Sequence, residues 1–179
     1  MRRIHAHRFA PAAPDEKYVF GACAPGWHSA ASHDAALSDW IQSVRDCQVE
    51  RVCCLLAGTQ LDESGSNVER YADAFGESNV LHVPVPDQQL IGKEALHEEV
   101  LPFLATSVDT EVRTVVHCLA GIGRTGQVLA AWLVYNRDYG PRRAIETVQQ
   151  MGRDPMDAVE YGDADEDALL ELLGSVARL

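Results

Sequence analysis

An α/β fold, with a central and mainly parallel sheet flanked by helices, is predicted by three observations. Short apolar runs that suit buried strands alternate along the chain with longer segments of helical periodicity. The run from Arg51 to Leu56 (RVCCLL) is continuously apolar after its first residue, as a strand covered on both faces must be. A glycine-rich turn, His117 to Gly126 (HCLAGIGRTG), separates a strand-like run from a helix-like one. In open α/β sheets ligands bind at such strand ends.

The elements follow in order. Residues 1–17 are expected to form an irregular N-terminal arm, and residues 18–179 a single domain. Tyr18-Val19-Phe20 reads as a short strand, ended by Gly21 and by Pro25-Gly26. Ser32 or Asp34 can cap a helix running to about Cys47, with Leu37, Trp40, Ile41 and Val44 on one face. After the 51–56 strand, residues 62–66 read as a loop and 67–75 as a helix. Val80 to Val83 is a strand that Pro84 and Pro86 stop. A helix over 92–104, a strand over 112–118 and a helix to about Tyr139 come next. Gly140-Pro141 opens a helix to about Met151, and a last helix covers 165–177.

Composition narrows the function. The chain has 179 residues, 46% of them hydrophobic, enough for one domain with a sizeable core. No apolar run reaches the roughly 18–20 residues of a membrane span. The basic N-terminus has no apolar signal core after it, so a cytoplasmic protein without a membrane partner is expected. The formal net charge of −12 speaks against nucleic acid as a partner. Two lysines stand against thirteen arginines. That bias fits solubility in high salt, and equally an arginine-favouring genome. Five cysteines without a CxxC pair form neither a disulfide framework nor a zinc pattern. No metal or cofactor is expected, and the oligomeric state is not legible.

The glycine turn carries the chemistry. Gly121-Ile122-Gly123-Arg124-Thr125-Gly126 matches the dinucleotide pattern GxGxxG. That pattern also needs a second strand ending in an acid about 20 residues on, and here the Pro141 helix follows instead. A Walker loop needs a lysine that is missing. A third reading uses every polar residue. A loop entering a helix N-terminus aims backbone N–H groups at one point and binds a phosphate-sized anion. The N–H groups of Leu119, Ala120, Gly121, Ile122, Gly123 and Arg124 would form that cradle. Cys118 would lie at its floor, its thiolate favoured by the same dipoles. Arg124 can hold two phosphate oxygens with its planar fork. Thr125 can donate its hydroxyl to the sulfur, and His117 can orient the loop through backbone carbonyls.

HCxxGxxRTG resembles the signature of the cysteine-dependent protein tyrosine phosphatases, in their small, dual-specificity-like branch. The segment Val49 to Leu56, the Val83-Pro84-Val85-Pro86-Asp87 loop and the Pro141 helix fall where that family places equivalents. The resemblance covers about residues 18–175. It implies phosphate-monoester hydrolysis in two steps, with phosphorylated protein or an aryl phosphate as substrate. Cys118 attacks phosphorus and forms a phosphocysteine, an aspartic acid protonates the leaving oxygen, and water then cleaves the thiophosphate with the same aspartate as base. Arg124 and the N–H cradle serve in place of a metal.

Asp87 is the expected acid, because its loop follows a strand's carboxyl end on the side where Cys118 lies. Its alternative role is to cap the next helix. Asp62 and Asp154 are outside candidates. The family often places a water-positioning glutamine after the Arg-Pro-Gly turn. Here that place falls near Asp163, within an acidic run read as a solvated helix start. Leu119 and Ile122 occupy the loop's variable positions. Relatives acting on inositol lipids often carry lysines there, so phosphotyrosine fits better. Trp27 and His28 read as a surface loop. Some relatives protect the nucleophile with a cysteine on the neighbouring strand. That position falls nearer Leu56 here, so Cys53 and Cys54 read as buried apolar thiols. The alternatives are an RNA 5′-phosphatase, a phosphoinositide phosphatase, or a phosphate-binding module without turnover.

Overall fold

The computed structural model describes residues 7–61 and 66–177. Asp62 therefore lies outside the described residues. Five strands form one sheet: β1 (Ala10–Pro11), β2 (Val19–Ala22), β3 (Val49–Cys54), β4 (Val80–His82) and β5 (Arg113–His117). Their spatial order is β1-β2-β5-β3-β4. Every pairing is parallel except β1 with β2. The last strand in sequence thus occupies the middle of the sheet, and its carboxyl end opens between those of β2 and β3. That is where a doubly covered sheet offers a ligand crevice.

Helices cover both faces, as the continuous apolar strands demand. On one face lie α1 (His33–Asp46) and α2 (Ser66–Phe75). Ser32 caps α1 by accepting the Ala35 N–H, and Leu37, Trp40, Ile41 and Val44 are buried as the helical spacing predicts. They pack with Tyr71 of α2 on Ala22, Val52, Cys54 and Val115. The opposite face is covered by α3 (Lys93–Ala95), a π-turn (Leu96–Val100), α4 (Leu101–Asp109), α5 (Gly123–Arg137), α6 (Pro141–Gln150) and α8 (Glu166–Gly174). The single-turn α7 (Asp157–Glu160) lies between α6 and α8. Helix α5 is buried on every side from Gly123 to Val134, so it runs as the core of that layer rather than as a surface helix. Among the described residues no helix is long and apolar enough to cross a membrane.

Of the expected irregular arm, residues 1–6 lie outside the described residues, and the rest needs correction. Ala10–Pro11 pairs with Phe20 and Gly21 as an edge strand, where a proline costs no ladder bond. Ala12 and Ala13 are fully buried. Glu16 is also buried. One carboxylate oxygen accepts the Lys17 and Tyr18 N–H groups, and the other accepts Trp132 Nε1 and pairs with Arg137. The segment is therefore part of the domain, stitched to α5 by a satisfied buried charge.

Candidate active site

Strand β5 ends at His117, and the chain then turns through residues 118–122 into α5. Gly121 holds φ +73°, and a side chain there would strike the backbone of Ala22 and Cys23. Only glycine lets this loop fold down onto the end of β2. Among the described residues, no N–H from Leu119 to Arg124 is donated to a protein acceptor. Those donors are arranged as an anion site requires.

His117 fixes the loop from below. Its Nδ1 lies 3.0 Å from the Cys118 carbonyl oxygen, and its Nε2 3.1 Å from the Tyr71 hydroxyl. The ring is fully buried, edge-on to Trp40 and Tyr71. Burial pushes its pKa down to about 4, so Nδ1–H donates and Nε2 accepts from Tyr71. The one loop carbonyl within hydrogen-bond reach of the ring is thus that of Cys118. A stability consequence follows. Between pH 6.5 and about 4 the unfolded chain takes up a proton that the folded chain refuses. The contribution is complete above pH 6.5 and is lost as pH falls toward 4, amounting to roughly 3 kcal/mol. Urea unfolding across that window is expected to show this slope in the wild type and to lack it in His117→Asn.

Cys118 is 2% exposed, at the floor of a cavity of about 130 Å³ lined by Asp87, Gln88, Ala120, Ile122, Gly123, Arg124 and Asp157. Arg124 is 3% exposed and its guanidinium is fully directed. Nη1 donates to Gln60 Oε1 at 2.6 Å and to the Val85 carbonyl at 2.9 Å. Nη2 lies 3.0 Å from Asp87 Oδ1. Asp87 itself is 57% exposed, so it sits at the rim, on a loop held over the cavity. Gln127 on α5 clamps that loop, accepting the Ile91 N–H and donating to the Gln89 carbonyl. Asp87 does not cap α3, whose N-cap is Gly92.

Other expectations meet different outcomes. Thr125 is buried, but its hydroxyl makes no hydrogen bond, to sulfur or to anything else described. Leu119 does not line the cavity; it packs against the α1 side of the sheet. Asp154 is engaged locally, accepting from Gln149 and from the Met156 N–H. Asp163 is exposed and away from the cavity, and Asp165 caps α8 through the Ala168 N–H. Trp27 is a half-exposed loop residue against His28, not part of the cavity wall. Cys54 pairs in register with His117 and packs in the Trp40 cluster, whereas Cys118 belongs to the cluster on the other face. Burial pushes the Cys54 thiol up to about 12 and Cys53 higher still, as inert core thiols.

Three residues of this site escape a sequence reading. Gln60 and Gln127 are ordinary polar residues there, recruited by the tertiary fold. Arg153 is buried after α6. Its guanidinium donates to the carbonyls of Gly121 at 2.5 Å, Gly21 at 2.7 Å and Arg8, tying loop, β2 and N-terminal segment together. Burial lowers its pKa to about 10, which leaves it charged at neutral pH.

Known structures share this architecture. Tk-PTP in its active form is similar, with a TM-score of 0.65 and 23% identity over 93% of this chain and 96% of that one. PTPMT1 in complex with PI(5)P reaches 0.71 at 16% identity, over 94% and 96%. Kinase-associated phosphatase (KAP), carrying serine for its catalytic cysteine, reaches 0.68 at 19% identity, over 90% and 89%. No curated protein matches the sequence. The family model that does match is Tc-R-P, the DSP-PTPase phosphatase of polymorphic toxin systems, over residues 28–138, from before α1 through the glycine-rich turn and α5. A match across more than half of the chain settles its place: this is a member of that DSP-PTPase family, a cysteine-dependent phosphatase.

Proposed function

We propose that the chain hydrolyses phosphotyrosine or a similar aryl phosphate monoester on a protein, through a phosphocysteine at Cys118. The observation that carries this reading is the convergence of Cys118, Arg124 and Asp87 on one small cavity, with the loop N–H groups unengaged around it. Arg124 and those N–H groups neutralise the equatorial oxygens while Cys118 attacks phosphorus in line. Asp87 donates its proton to the leaving oxygen, whose charge would otherwise build up at the rim.

Substrate class is argued from charge. The cavity wall offers Ala120 and Ile122 beside two carboxylates and a single arginine. That lining suits one phosphate on an apolar ring and opposes a headgroup bearing several. The net charge of −12 likewise disfavours RNA and anionic lipid surfaces.

The test is turnover of an aryl phosphate across pH, with no metal added, for wild type and Asp87→Asn. A loss of about 10²–10⁴-fold, together with the disappearance of the basic limb of the profile, is expected. An Asp87→Asn variant that matches wild type at every pH assigns the acid elsewhere. Phosphotyrosine and phosphoserine peptides and a phosphoinositide, run beside it, rank the substrates, and the reading expects the phosphotyrosine peptide first.

A further inference from the structure

The turn that carries Asp87 is held on both legs, and its tip rests on a glycine far along the chain. On the near leg the Val83 N–H donates to the Cys54 carbonyl at 3.0 Å and the Val85 N–H to the Leu55 carbonyl at 3.3 Å, which fastens it to the end of β3. On the far leg Gln127 holds the Gln89 carbonyl and the Ile91 N–H. Gln88, between them, has φ +56°, in the left-handed region that residues with side chains seldom occupy. Its N–H donates to Asp87 Oδ1 at 3.2 Å, so the seat of Gln88 sets where the carboxyl stands.

That seat is Gly162, beyond the residues matched by the family model. A Cβ built on Gly162 would stand 1.9 Å from the Gln88 carbonyl oxygen and 2.6 Å from that of Ala158. Ordinary contact needs about 3.5 Å, so the turn and this glycine touch backbone to backbone with no room for a methyl group. Gly162 is not left-handed, unlike Gly121, so space rather than conformation demands a glycine here. The abutment cannot retreat. Ala158 belongs to α7, and α7 is tied to the glycine-rich loop. The Asp154 N–H donates to the Ile122 carbonyl and the Asp157 N–H to the Asp154 carbonyl, both at 3.2 Å. The Asp157 side chain lies against Gly123.

We propose that Gly162 is a positioning residue for the general acid: its missing side chain lets the Asp87 turn descend until the carboxyl reaches the leaving oxygen. This rests on the assignment of Asp87 as the acid given above. A side chain at 162 wedges between α7, which is fixed, and the Gln88 carbonyl, which has to lift. Cys118 and the loop N–H groups take no part in that contact and keep their places.

The experiment measures kcat/KM, which reports the steps up to loss of the leaving group, on aryl phosphates from phenyl to dinitrophenyl. It compares wild type, Gly162→Ala, Asp87→Asn and the double variant, with inorganic phosphate as inhibitor. A dinitrophenolate leaves without a proton, whereas an unsubstituted phenolate needs one. Gly162→Ala is expected to lose about 10²-fold on phenyl phosphate, the scale of an ångström's misplacement, and to change little on dinitrophenyl phosphate. Inhibition by phosphate is unchanged. Asp87→Asn shows the same dependence on the leaving group, and adding Gly162→Ala to it brings no further loss, because the group it displaces is already gone. A Gly162→Ala variant that matches wild type on every substrate, while Asp87→Asn does not, overturns the proposal alone. So does an even loss across the series, or a loss of phosphate inhibition, since Gly162 then serves the fold and not the acid. If Asp87→Asn itself shows no dependence on the leaving group, the assignment of the acid falls, and this proposal with it.

Discussion

Replacing Cys118 with serine is expected to leave the fold intact and to remove turnover by at least about 10⁴-fold. The substitution changes one atom at a buried position that makes no hydrogen bond on which the loop depends, so thermal unfolding should move little. The chemistry, by contrast, loses both halves of its cycle. A serine hydroxyl is scarcely ionised at neutral pH, and an alkoxide leaves phosphorus far less readily than a thiolate. The anion cradle and Arg124 stay in place, so inorganic phosphate should still compete for the cavity. Activity within tenfold of wild type in Cys118→Ser would remove the thiol from the mechanism.

Arg124→Lys is the second large effect. The charge survives, but the planar fork does not. Arg124 now satisfies Gln60, the Val85 carbonyl and Asp87 at once, and so fixes the Asp87 loop relative to the glycine-rich loop. A lysine ammonium cannot span these partners and grip two phosphate oxygens as well. A fall of about 10²–10³-fold in kcat is expected, the cost of losing a directed donor to the developing charge. Weaker competition by inorganic phosphate should accompany it. Steady-state kinetics with phosphate as inhibitor check both. Lysine at wild-type kcat would mean that charge alone suffices.

Much of this was legible in the sequence, because the relevant signals are local. The β5–loop–α5 unit announces itself by an apolar strand, a glycine turn and an apolar helix in immediate succession. The buried face of α1 follows from the spacing of Leu37, Trp40, Ile41 and Val44. Asp87 was placed by topology, since parallel strands gather their carboxyl ends on one side. What escaped was assembled across long stretches of chain. β1 is two residues long and contains a proline, so no period-two pattern marks it. Gln60 reaches Arg124 across 64 positions, and Gln127 reaches Ile91 across 36. Asp157 looked like one acid among many in an acidic segment. Only the packing of its turn against Ile122 and Gly123 separates it from Asp163. The π-turn at Leu96–Val100 leaves no mark in a helical pattern. Thr125 shows the limit of reading a role from residue type, since its hydroxyl is buried without a partner.

The central claim is that Cys118 carries the phosphoryl group. The most direct measurement quenches wild-type enzyme in acid during turnover of an aryl phosphate, then digests the protein and weighs its peptides. A phosphoryl group confined to the peptide containing Cys118, and absent from Cys118→Ser treated alike, is the expected result. A phosphoryl group on another residue, or none on the wild type while product is released, contradicts it.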